Sequence, residues 1–169
     1  RTIAPRTSRA VHRCVAALRG DDRRLPAAAA CAVRCERPGW RGFAVPRLQY
    51  RRSALWATTI LTLAWGLWHV PYFFYRYHLQ SAIEYVGFYL GLYAGAVWLT
   101  FLYNSARGSI LLVVVWHTVW NAVALTAAVL SPTLVAITSA LIMMTGIAAL
   151  LVGGPRRLSR VEPHVIPPP

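Results

Sequence analysis

A chain of 169 residues that is 57% hydrophobic and only 14% charged departs from soluble domains, which run at about 45–50% apolar and about 25% charged residues. Its length could not bury enough helix for that apolar content to be an internal core. The net charge of +13 would suit a polyanion, but the arginines lie almost entirely outside the apolar stretches and form no aromatic-interleaved basic face, so no nucleic-acid partner is expected.

In chain order, residues 1–35 are rich in Arg, Ala and Pro, follow neither helical nor strand periodicity, and hold all three cysteines, Cys14, Cys31 and Cys35. The spacing is not C-x-x-C and no His is paired with it, so neither a zinc site nor a disulfide framework is expected. The stretch reads as an irregular basic segment: a fragment end or wrong-frame translation, or a disordered arm on anionic lipid. Residues 36–53 form a basic, Trp-containing juxtamembrane segment, in which Pro38-Gly39 mark a turn or helix start and Pro46 is expected to break any helix.

Four runs without Asp, Glu, Lys or Arg follow: Ala54–Tyr75, Tyr85–Tyr103, Gly108–Leu130 and Thr133–Gly154. Each is near the 20 or so residues that cross a hydrocarbon core as helix. The fold class expected is therefore all-α, a polytopic transmembrane helix bundle of about four spans behind an irregular basic N-terminal segment. Arg41, Arg47, Arg51, Arg52, Arg107, Arg156, Arg157 and Arg160 fall on one side of such a bundle and Arg76 on the other. The positive-inside rule then puts both termini in the cytoplasm, in a bacterial-type plasma membrane. The aromatic cluster Tyr72, Phe73, Phe74, Tyr75, Tyr77 would sit at the outer interface. Residues 155–169 read as a Pro-rich cytoplasmic tail that ends in no C-a-a-X box. Gly87, Gly91 and Gly95 repeat every fourth residue in the second run, a face for close helix packing, inside the bundle by preference or in self-association.

Titratable groups at membrane depth are functional candidates. Two imidazoles qualify, His69 and His117. His117 and Asn121 stand at i and i+4 on one helix face and point into the bundle, where they can hold a water or a metal or make a structural hydrogen bond. His69 precedes Pro71, which cannot donate to the Leu67 carbonyl; a kink or helix end is expected there, freeing that carbonyl beside the imidazole. From the cytoplasmic ends of their runs the two imidazoles differ in depth by roughly 9 Å. Glu84 is expected to snorkel to the interface.

The order E-R-P-G-W-R-G-F at 36–43, P-R-L-Q at 46–49, W-G-L-W-H at 65–69 and H-T-V-W-N at 117–121 resembles the signatures of the CPBP family, the CAAX protease and bacteriocin-processing group of intramembrane proteases. Their pattern is E-E-x-x-x-R, then F-x-x-x-H, then H-x-x-x-N/D, on successive membrane helices, and the resemblance spans roughly residues 36–130, within a membrane-embedded core at 36–154. It implies an endopeptidase acting on prenylated or membrane-associated peptides, with membrane lipids as its other partners. It also implies Glu36 as the base that activates water, His69, His117 and Asn121 as holders of that water and stabilisers of the oxyanion, and Arg41 as an orienting residue. In a zinc-dependent version a divalent metal would sit on His69 and His117. Two positions depart from the pattern. Trp65 replaces the Phe, and Arg37 replaces the second Glu, where a guanidinium would repel a divalent cation and make Glu36 a weaker base. The family also has membrane helices ahead of the first motif, which the 35 residues before Glu36 do not supply. A catalytically degenerate binding or scaffold relative is the alternative reading.

Overall fold

The computed structural model describes residues 40–74 and 79–167. Cys14, Cys31, Cys35, Glu36, Arg37, Pro38, Gly39, Tyr75, Arg76 and Tyr77, which carried sequence expectations, lie outside the described residues. Those described form helices and connecting turns, with no strand among them.

The first element is a π-helical turn, Trp40–Ala44, that runs directly into helix α1, Val45–Arg51. Pro46 was expected to break a helix, and instead occupies the first turn of α1. There the missing N–H costs nothing and the fixed φ suits the helix. Helix α2 covers Ala54–His69, capped by the Ser53 hydroxyl, which accepts from the Trp56 N–H at 3.3 Å. Helix α3 covers Ala82–Ser105 under a Ser81 cap, helix α4 covers Ile110–Leu130, and helix α5 covers Pro132–Arg157. A single residue, Ser131, turns α4 into α5: its N–H closes α4 on the Ala127 carbonyl and its hydroxyl accepts from the Thr133 N–H, with Pro132 opening the next helix. Gly154 leaves the helical region (φ 68°) ahead of Pro155, so α5 is kinked where the fourth apolar run ends.

Three of these helices, α3, α4 and α5, are long and apolar enough to cross a membrane. The expected first span is shorter than read. Its α-helix has 16 residues and continues as a 3-10 turn, Val70–Phe74, because Pro71 cannot sustain the i→i−4 ladder. Side chains such as Ile83, Leu111, Val129, Met144 and Leu151 point outward, the reverse of a soluble bundle, and the chain is an integral membrane protein.

Helix α3 packs most extensively on α5. A methyl group placed on Gly146 would fall 2.7 Å from the Ala94 carbonyl oxygen, so the two backbones meet at that point. In the glycine stripe, Gly91 and Gly95 face Ile142 of α5, the internal packing expected, whereas Gly87 has nothing within 4 Å. Hydroxyls tie α2 to α3: Thr58 donates to Thr100 at 2.9 Å, Thr100 back-bonds to the Ala96 carbonyl, and Thr59 meets the Tyr93 hydroxyl at 3.0 Å. Thr100→Val keeps the shape and removes one such link. It is expected to lower the unfolding free energy in detergent by about 0.6–2 kcal/mol; an unchanged denaturation midpoint would contradict this.

Candidate functional site

The site is organised around one indole. Trp65 lies one helical turn before His69 on α2 and is 5% exposed. Its ring meets His69 edge-on at 5.4 Å between centroids and His117 of α4 edge-on at 5.8 Å. The buried guanidinium of Arg41 lies 5.2 Å from the same ring, a cation–π contact delivered by the π-helical turn before α1. The depth difference expected between the imidazoles is therefore bridged by Trp65: each histidine meets the same side chain from its own helix.

The orientation of His69 follows from the helix end. The Leu67 carbonyl, expected to be free, accepts the Val70 N–H as the helix tightens to 3-10 spacing. The imidazole reaches back instead, placing Nδ1 2.7 Å from the Trp65 carbonyl oxygen. A carbonyl only accepts, so Nδ1 carries the proton in this contact. Phe88 and Tyr72 pack on His69, at 5.5 and 5.9 Å.

A cleft of about 520 Å³ opens beside these rings. His69 and Trp65 line it from α2, Gly87 and Phe88 from α3, His117 and Asn121 from α4, and Ser139 and Ile142 from α5. His69, His117 and Asn121, three of the sequence-derived candidates, thus share one cavity. Stacked Trp116 and Trp120, 5.4 Å apart and 5° from parallel, form an aromatic wall beside them. Glu84, also on the cleft, is exposed; its carboxylate accepts the Gln80 N–H at 2.7 Å and serves the start of α3. Arg41 contacts Trp65 but is not part of the cleft lining. Among the described residues no three His, Cys, Asp or Glu side chains are grouped to hold a metal. A catalytic zinc takes three protein ligands, so His69 and His117 would need a third ligand from outside the described residues to hold one.

Sequence reasoning missed two features. Trp65 was read as an aromatic replacement and is the contact shared by both imidazoles. The pairing of Gln49, present in the P-R-L-Q stretch, with Asn104 is the other, missed because only titratable groups stood out at membrane depth.

Fold and cleft together define an integral membrane protein that keeps its imidazoles and an amide on a cavity inside a helix bundle. The chain belongs to the Rce1-like family of type II CAAX prenyl endopeptidases, whose profile matches residues 24–123. That range contains Glu36, Arg41, His69, His117 and Asn121. Over 96 residues the chain is 32% identical to CAAX prenyl protease 2 of Methanococcus maripaludis, an alignment covering 53% of this chain and 35% of the relative. The chain thus spans about a third of the length of that curated relative. No solved structure matches it.

Proposed function

We propose that this chain is an intramembrane endopeptidase that hydrolyses a peptide bond next to a prenylated or otherwise membrane-held segment. The convergence of His69, His117 and Asn121 on one cleft carries this reading. The family and the name of the Methanococcus relative supply the substrate class.

In the proposed reaction the Glu36 carboxylate takes a proton from water, and the oxygen attacks the scissile carbonyl carbon. The carbonyl oxygen becomes an oxyanion, the carbon–nitrogen bond breaks, and the proton passes to the leaving amine. His69 has its Nδ1 oriented by the Trp65 carbonyl, and its part is to orient the attacking water. The donors for the oxyanion are the Asn121 amide and an N–H of His117. Arg41, stacked against Trp65, holds that indole and hence the rings leaning on it. Both termini are assigned to the cytoplasm from the arginine distribution. A C-terminal tag open to protease in inside-out vesicles supports that assignment, and a protected tag reverses it.

The test is release of the C-terminal tripeptide from a farnesylated peptide ending Cys-aliphatic-aliphatic-X, compared with its unlipidated twin. Release from the lipidated peptide, at least about tenfold faster as two or more buried methylenes would provide, is expected. No release from either favours the degenerate binding relative, a reading that Arg37 beside Glu36 supports. Arg37→Glu, combined with membrane helices supplied ahead of Glu36, would then be expected to restore turnover.

A further inference from the structure

The segment that brings Arg41 to Trp65 must itself be anchored, and the anchor is a polar pair sealed in the bundle. Gln49 on α1 and Asn104 at the end of α3 face each other with their amides reciprocally paired. Gln49 Nε2 donates to Asn104 Oδ1 at 3.2 Å, and Asn104 Nδ2 donates to Gln49 Oε1 at 2.8 Å. The second hydrogen on Asn104 Nδ2 goes to the Arg157 carbonyl, 2.6 Å away, at the end of α5. Asn104 is fully buried and Gln49 nearly so. One side chain therefore ties together the helix after the first motif, the helix lining the cleft and the last helix. Next to it the C-terminal segment closes on α1, where the Ile166 N–H donates to the Pro46 carbonyl at 3.2 Å.

We infer that Gln49 and Asn104 are positioning residues for the proposed hydrolysis, fixing the segment that carries Arg41 against Trp65 and its two imidazoles. The inference rests on the endopeptidase reading for its catalytic consequence only. Three observations support it. The π-helical turn and α1 are continuous, so a shift at Gln49 is transmitted to Arg41 eight positions earlier. Neither residues 40–51 nor Asn104 line the cleft, so the pair has no direct part in holding substrate. Buried amides left unpaired are costly, so the segment has one register in which both are satisfied.

The reciprocal pair has a length requirement that provides the test. Gln49→Asn shortens one arm by a methylene and Asn104→Gln lengthens the other; the double swap restores both the amide pair and the total length. In each single variant kcat for the farnesylated peptide is expected to fall at least about tenfold, the factor that a misplacement of under 1 Å can cost, with KM within about twofold. The double swap is expected to recover most of the loss. Thr100→Val, which breaks an interhelical hydrogen bond elsewhere in the bundle, is expected to lower thermal stability without changing kcat.

A second readout is independent of turnover. In protein carrying ¹⁵N-labelled histidine, the His69 and His117 ring signals are expected to shift in Gln49→Asn, to return in the double swap and to stay put in Thr100→Val. Ring signals indifferent to Gln49→Asn, or a double swap no better than the singles, would overturn the inference. If the wild-type protein cleaves nothing, the endopeptidase reading fails and the ring signals alone decide whether the pair positions the imidazoles.

Discussion

His117→Ala is expected to reduce kcat for the farnesylated peptide by about 10²–10³-fold, the range for loss of one oxyanion donor. KM is expected to change little, because the interaction forms as charge develops on the scissile carbonyl and not when the peptide first binds. Asn121→Ala removes the companion donor, one turn along the same face of α4, and is expected to cost about 10²–10³-fold, as loss of one oxyanion donor does. Both side chains line the cleft and are only half-buried, so neither truncation should much disturb the bundle. Steady-state kinetics alongside thermal denaturation check this. A fall in turnover matched by an equal loss of folded protein would mean that the pair only joins helices.

The largest effect on stability is expected at Gly146→Val. A Cβ at this position meets the carbonyl oxygen, Cα and Cβ of Ala94 at 2.7–2.8 Å, and two of the three are backbone atoms that cannot rotate away. Helices α3 and α5 would have to separate along the most extensive contact in the protein. Overpacking costs typically about 1–3 kcal/mol and more where the backbone must move. Unfolding in mixed detergent is expected to show the full loss. Gly87→Ala, on the same face of α3 as Gly91 and Gly95 but with open space around it, is expected to leave stability unchanged. Equal stability of Gly146→Val and the wild type would contradict the close approach of α3 and α5.

The bundle was legible because lipid imposes a simple rule on sequence. Runs without charge and about 20 residues long became α3, α4 and α5 with ends close to those expected. The rule counts residues and is blind to backbone chemistry, so it overextended the first run across Pro71, where the helix changes to 3-10 after 16 residues. The candidate site was partly legible for a related reason. His69 and His117 stood out as rare titratable groups in apolar runs, and the i, i+4 spacing already put Asn121 beside His117. What holds them together was not legible, because it arises between helices: the contact of Trp65 with Arg41 and both imidazoles joins three segments that no sequence period connects. The Gln49–Asn104 pair, 55 positions apart, was hidden in the same way.

The most direct measurement of the central claim is the rate of tripeptide release from the farnesylated peptide by purified wild-type protein and by Glu36→Gln, side by side in the same detergent or nanodisc. The replacement keeps size and hydrogen-bonding capacity and removes only the ability to take a proton from water. The account predicts turnover by the wild type and a loss of about 10²-fold or more in Glu36→Gln, with peptide binding retained. Cleavage by Glu36→Gln at the wild-type rate would contradict it.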